Sequence, residues 1–336
     1  MISQRMHARA SGGTVERRRT LVALVGACVL GMGVPGACIL GTCILGAGPL
    51  AAERALAAPD PIAADSPAPC DCAHFAAELE AARAFYASRG EGATIRLSAA
   101  ARARFRERLL GTYDRAHCLV GCAAVSEPDR DQVRVLLATA AFKSRRFGPS
   151  DAAAQARLTL ALAETERCVA HDPALPACHL WHASIRGVLA KGSWNPMQLA
   201  LPKQLLAEFR AARAGAPPGS DPPDGAATRA EATLLLRAPG IAGGDAEAAR
   251  RLMEEATRSP LYVCTVANRL VYGEALTRTG APARAVAELR AALDSGLPSC
   301  GDDRYENADD LEDVVHCLDH LESHPNDDPG WDHSCR

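Results

Sequence analysis

Apolar residues recur at helical spacing in segment after segment from Ala73 onward. The pattern predicts helices near 73–88, 98–116, 131–144, 151–170, 177–191, 197–214, 225–236, 245–258, 261–279, 282–295 and 304–322. The punctuation between them is chemically sensible. Gly111 and Gly121 bracket one helix end, His171-Asp172-Pro173 ends another, and the run from Gly215 to Pro223 is a loop. Asp151 and Asp245 are expected N-caps, because a carboxylate there accepts the free N–H groups of a first turn. Trp194-Asn195-Pro196 reads as a further start, with Asn195 as the cap and Pro196 in the first helical position.

Composition narrows the class. Alanine and arginine, both strong helix formers, dominate the long segments, and aromatics are only 4% of the chain. The β-branched and aromatic residues that build sheets are scarce, which argues against an all-β protein or a large parallel sheet. A length of 336 residues allows one large domain or two ordinary ones. The formal charge of −3 argues against nucleic-acid binding, which calls for a basic excess.

Three segments share a finer pattern in which a small residue is followed four later by a larger one, and three after that by another small one. They are Ala161–Pro173, Gly244–Pro260, and the positions Gly273, Gly280, Ala285, Leu289 and Ala292. Small residues at those places let two antiparallel helices approach closely. The last set has the spacing of a tetratricopeptide repeat, in which a helix pair recurs about every 34 residues. The expected fold is therefore all-α: a superhelical stack of antiparallel helix pairs, a TPR-like α-solenoid, over residues 70–324, followed by an acidic tail, 325–336.

A narrower likeness runs from His179 to Leu293. Its first element is Cys178-His179-Leu180-Trp181-His182-Ala183, leading into Ile185-Arg186-Gly187. Its second is Arg229–Ala238 followed by Pro239-Gly240-Ile241-Ala242-Gly243-Gly244-Asp245. These segments resemble the T component (TatT) of tripartite periplasmic TRAP transporters. The resemblance implies a periplasmic accessory protein, oligomeric, that contacts a solute-binding partner and passes an apolar ligand through a central opening. The proline-rich Gly215–Gly225 segment, the many cysteines and the acidic tail depart from that pattern.

Residues 1–57 stand apart from the helical series. Arg17-Arg18-Arg19 precedes Leu21–Leu50, which carries no charge, and Ala55-Leu56-Ala57 has a small-x-small form. This is the pattern of a cleaved secretory signal. Residues 21–50 are also long enough to serve as an uncleaved membrane anchor. Val25-Gly26-Ala27-Cys28 loosely fits a lipidation box. All three alternatives export the rest of the chain to the periplasm or cell envelope. Residues 58–69, rich in Pro, Ala, Asp and Ser, form a linker.

Of thirteen cysteines, ten follow that segment: Cys70, Cys72, Cys118, Cys122, Cys168, Cys178, Cys264, Cys300, Cys317 and Cys335. An even count in an exported chain points to disulfides, although buried free thiols among alanine-rich helices are the alternative. In an antiparallel helix pair the start of the first helix lies beside the end of the second. Cys70 and Cys72 should thus pair with Cys118 and Cys122, and Cys264 with Cys300. Cys168 should meet Cys178 across a short turn, and Cys317 should tie Cys335 back onto the last helix.

Charge is unevenly spread. Residues 300–336 hold twelve acids and two arginines, while the helical middle is about neutral to slightly basic. The simplest reading of the acidic end is a solvated terminal helix that caps the stack. Within it Glu312, His316, His320 and His324 recur every four residues, a spacing at which histidines can share a metal ion or simply form a solvent face.

His179, Trp181, His182 and Trp194 are the candidate binding residues of a concave face, with a core role for the tryptophans as the alternative. There is no Gly-x-Ser-x-Gly elbow, and Cys178-His179 are helical neighbours that point apart. Gly240–Asp245 reads as a tight turn with an Asp cap, because no strand precedes it and Asp245 would repel a phosphate. The expected role is binding without catalysis, with no cofactor and no resident metal. The partner is a protein, either the solute-binding partner of a TRAP system or, alternatively, another component in a general cell-envelope scaffold.

Overall fold

The computed structural model describes residues 70–146, 152–191, 200–216, 225–298, 303–324 and Cys335. All of them lie within the unit Ala58–Arg336. The expectations for residues 1–57, the linker 58–69, most of the 325–336 tail, Asp151, Trp194, Asn195, Pro196 and Cys300 fall outside these residues.

Eleven α-helices and no strand occur among the described residues. They are α1 (Phe75–Ala87), α2 (Ala99–Val120), α3 (Glu127–Arg146), α4 (Ala152–His171), α5 (Pro176–Ala190) and α6 (Leu201–Ala214), then α7 (Ala226–Arg237), α8 (Ala246–Ala256), α9 (Val266–Arg278), α10 (Pro282–Ser295) and α11 (Arg304–Ser323). Each packs against its neighbours in sequence. Odd-numbered helices also touch the next odd one along the whole series, α1 with α3 through α9 with α11, whereas no two even-numbered helices among the described residues make a comparable contact. Short connections hold successive helices side by side, so each buries its apolar stripe on helices close in sequence.

Among the described residues the core has two large clusters and a smaller one around Phe105, Leu109 and Tyr305. Of the large ones, the first, around Leu137, Leu158 and Ile185, joins α1 to α7. The second, around Met253, Leu276, Leu289 and Leu321, joins α6 to α11. Gly273 and Ala285 are both buried, in α9 and α10.

Two glycines show how local chemistry shapes the series. Gly111 does not end a helix as its type implied. It lies inside α2, where a Cβ would come within 2.5 Å of Phe85 Cε1, so its lack of a side chain lets α1 settle closely on α2. Gly244 lies in the turn between α7 and α8, where a Cβ would stand 1.8 Å from the Ala238 carbonyl oxygen. Gly243 takes a φ of 101° just before it. The Asp245 N–H donates to the Leu235 carbonyl, and its carboxylate accepts from Ala248 N, so the segment is a turn with an Asp cap.

Four cysteine pairs bring their sulfurs to bonding distance: Cys70–Cys118, Cys72–Cys122, Cys168–Cys178 and Cys317–Cys335. Cα separations of 4.8–5.9 Å fit such bridges. Cys264 is also disulfide-bonded. The first two bridges fasten the start of α1 to the end of α2, as an antiparallel pair requires. No helix among the described residues is long and apolar enough to cross a membrane.

Candidate functional site

The acidic helix is not a solvated cap. Residues 305–311 of α11 are buried without interruption, although Glu306, Asn307, Asp309 and Asp310 are among them. A helix buried on every side is ordinarily apolar all round. Here burial is made tolerable by cations from the other end of the series, since buried charges persist only when paired.

Arg89, in the 3-10 turn after α1, bonds Asp303 and donates from Nε to Glu306 at 3.0 Å. Lys143 of α3 reaches the same two carboxylates at 2.7 and 2.8 Å. Arg102 of α2 holds Asp309 at 2.5 Å and Glu312 at 2.6 Å. Arg146 of α3 gathers Asp309, Asp310 and Asp313 at 2.9, 2.5 and 3.3 Å. Between the pairs, the Tyr305 ring stacks on Phe105 of α2, with centroids 3.7 Å apart and planes 9° from parallel.

The opposite flank of α11 fastens α9. Thr265, which precedes α9, makes no side-chain cap bond. Asn307 supplies one from α11, accepting from Val266 N at 2.9 Å and donating to the Cys264 carbonyl at 2.9 Å. α11 thus links the turn after α1, as well as α2 and α3, to the start of α9.

Burial works against charge on Lys143, Arg89 and Arg146, but the acidic groups around them outweigh it and hold all three above their ordinary values. Burial also opposes ionisation of Asp303, yet Lys143 and Arg89 overcome it and bring its carboxyl down to about 2. At Asp310 burial wins over Arg146, and the carboxyl titrates above its ordinary range. The cradle is therefore tight at its N-terminal end and carries an electrostatic cost near Asp310.

The histidine–tryptophan candidates separate. Trp181 is buried against Phe142, ring centroids 5.5 Å apart, so it is a core side chain. His179 and His182, three apart on α5, do share a face and converge on Glu208 of α6. His182 Nδ1 lies 2.5 Å from Glu208 Oε2, and His179 Nδ1 lies 4.0 Å from the same oxygen. Arg186 Nη1 stands 3.8 Å from the other carboxylate oxygen. Sequence reasoning placed the two histidines together but missed Glu208, 26 residues beyond His182.

The stripe on α11 also divides. Glu312 is committed to Arg102, while His320 and His324 face each other with ring centroids 5.1 Å apart and His316 is exposed. Two clusters among the described residues bring three ligand-type atoms within 4.8 Å of one another. One is Cys70, Cys72 and Cys122, whose sulfurs are engaged in disulfides. The other is Glu127, Asp131 and His171, whose carboxylates Arg130 and Arg134 already neutralise.

No protein-family model matches the chain, and no curated protein matches it in sequence. The likeness to the TRAP T component rests on the residues quoted for it.

Proposed function

We propose that the chain is an exported, disulfide-tied helical-repeat scaffold, TPR-like in arrangement, that binds a protein partner in the cell envelope and has no catalytic role. The observation that carries this reading is the succession of odd-numbered helices in mutual contact, flanked by even-numbered ones. That is how stacked helix pairs build a continuous inner layer and an outer one. The disulfides suit an oxidising, exported setting such as the periplasm.

Such a scaffold binds proteins through the surfaces its repeats leave open. The inner side near α1–α3 is engaged by α11, so partner contacts fall on turns and outer helices. One such place is the Pro239–Asp245 turn, which holds Ile241 78% exposed on a heavily hydrogen-bonded backbone. The narrower reading, a TRAP accessory protein, is favoured by that same turn, because Pro-Gly-x-x-Gly-Gly-Asp is the motif that carries the resemblance. The ion-paired core around α11 weighs against passage of an apolar ligand beside it.

A photo-crosslinking residue at Ile241, compared with one at Ile95, tests the reading in intact cells. One discrete adduct specific to Ile241 is expected. A solute-binding protein in that adduct supports the TRAP reading, and another envelope protein supports the general scaffold. Adducts that are equal at both positions, or absent from both, contradict protein binding through this turn.

A further inference from the structure

We propose that the cavity between α7, α8 and the start of α9 is an anchor pocket for one leucine-sized aliphatic side chain of a protein partner, an inference that rests on the scaffold reading. The cavity holds about 100 Å³ and is partly open. Met253, Ala256, Leu261 and Tyr262 give it a mainly apolar wall. An apolar cavity of ~150 Å³ takes benzene, so the smaller volume here suits a branched group of about four carbons. The polar groups beside that wall are committed within the protein. Asn268 accepts from Arg229 Nη1 at 2.7 Å and donates to the Tyr262 carbonyl at 3.0 Å. Ser259 Oγ accepts from Leu261 N at 3.2 Å. The Tyr262 hydroxyl donates to Glu288 at 3.0 Å, and Arg269 holds the same carboxylate oxygen at 2.8 Å.

These bonds fix the wall before a guest arrives, so little further ordering accompanies binding. A wall so committed favours an apolar guest over a polar or charged one, which would lose its hydration without replacement. A free molecule of four carbons has too few atoms to be held firmly by packing alone, whereas the same group on a protein segment adds to that segment's other contacts. Binding interfaces centre on an anchor side chain, aromatic or aliphatic, seated in a pocket. The volume here excludes the aromatic choice. Val263, which follows Tyr262 in the chain, is 49% exposed and gives the residues flanking the anchor an apolar surface to rest on.

Titration of N-acetyl-leucinamide into the full exported chain, followed at the 13C-labelled methyl of Met253, tests the pocket. A saturable shift is expected, and N-acetyl-glycinamide, which lacks the aliphatic group, should give none. Ala256→Leu fills the cavity from α8 and should weaken binding by about tenfold or more. Thermal melts verify its folding, and Leu261→Phe closes the same cavity from its half-buried wall as a second variant. A photo-crosslinking residue at Val263 in intact cells tests the partner: one discrete protein adduct is expected, lost when Ala256→Leu is added. Absence of a saturable Met253 shift overturns the proposal, and adducts at Ile241 would then still uphold the scaffold reading. An equal shift with N-acetyl-glycinamide also overturns it, as does a shift that survives both closures. So does a residue at Val263 that captures no protein, or captures it equally with Ala256→Leu in place.

Discussion

The two halves of α11 solve burial in opposite ways. From Val314 onward it is an ordinary amphipathic helix: Val314, Cys317, Leu318 and Leu321 face the core, and Val315, His316, Asp319 and Glu322 face water. From Tyr305 to Asp313 it is enclosed, and acids occupy positions that apolar residues would ordinarily take. The second half is held by shape and exclusion of water. The first is held by geometry between charges that come from helices far away in the chain. The hydrophobic half tolerates changes of pH and salt, whereas the ionic half depends on every partner being present.

The largest expected effect is at the anchor of the ionic half. Tyr305→Ala removes a fully buried ring stacked on Phe105 and should cost about 4 kcal/mol of unfolding free energy, read by denaturant titration. A loss under 1 kcal/mol would mean that the ring does not fill that space.

Next come paired changes, one in each half. Arg89→Ala leaves Asp303 and Glu306 with fewer partners in a buried setting and should cost about 3 kcal/mol. Leu321→Ala should cost a similar amount, about 3 kcal/mol, through lost packing. The comparison is sharpened by pH, since only the first variant should alter the acid limb of the stability profile.

That limb has a definite sign. Asp303 has its carboxyl lowered to about 2 in the folded chain, from an ordinary value of 3.8. The unfolded state therefore takes up the proton first as pH falls. The stabilisation, about 2 kcal/mol, is fully present above pH ~4 and is lost on acidification toward pH ~2. Asp303→Asn should remove this contribution and flatten the profile over that window. Asp310, with its carboxyl raised, acts with the opposite sign, so Asp310→Asn should cost less than Asp303→Asn at pH 7. An equal loss for the two would contradict the assignment of the tight end of the cradle.

The smallest effect lies away from α11. Ala285→Leu overpacks a fully buried position in α10 and should cost about 1–2 kcal/mol, with no dependence on pH. An unchanged melting temperature would show that the site has room to spare.

The same contrast explains what could be read in the residues. All eleven helices were legible because their apolar spacing is local. The Asp245 cap and the Cys168–Cys178 bridge were legible for the same reason. The second half of α11 fits that rule too. Its first half does not, because an acidic helix in water and one in a cradle have the same composition. The difference lies in Arg89, Arg102, Lys143 and Arg146, 160 to 217 residues distant among the contacts that define it. Of the two readings open for Trp181, the structure takes the core one, because adjacency in a helix turns its side chain away from His182 and onto Phe142. His179 and His182, three apart, were rightly grouped, but their shared carboxylate belongs to the next helix.

Amide hydrogen exchange along α11 tests the central claim most directly. In the enclosed arrangement, amides from Asn307 to Asp313 exchange as slowly as those in the middle of α2 and α3, and more slowly than those from Asp319 to Ser323. Rapid exchange throughout α11, at the rate of a solvated terminal helix, would contradict it.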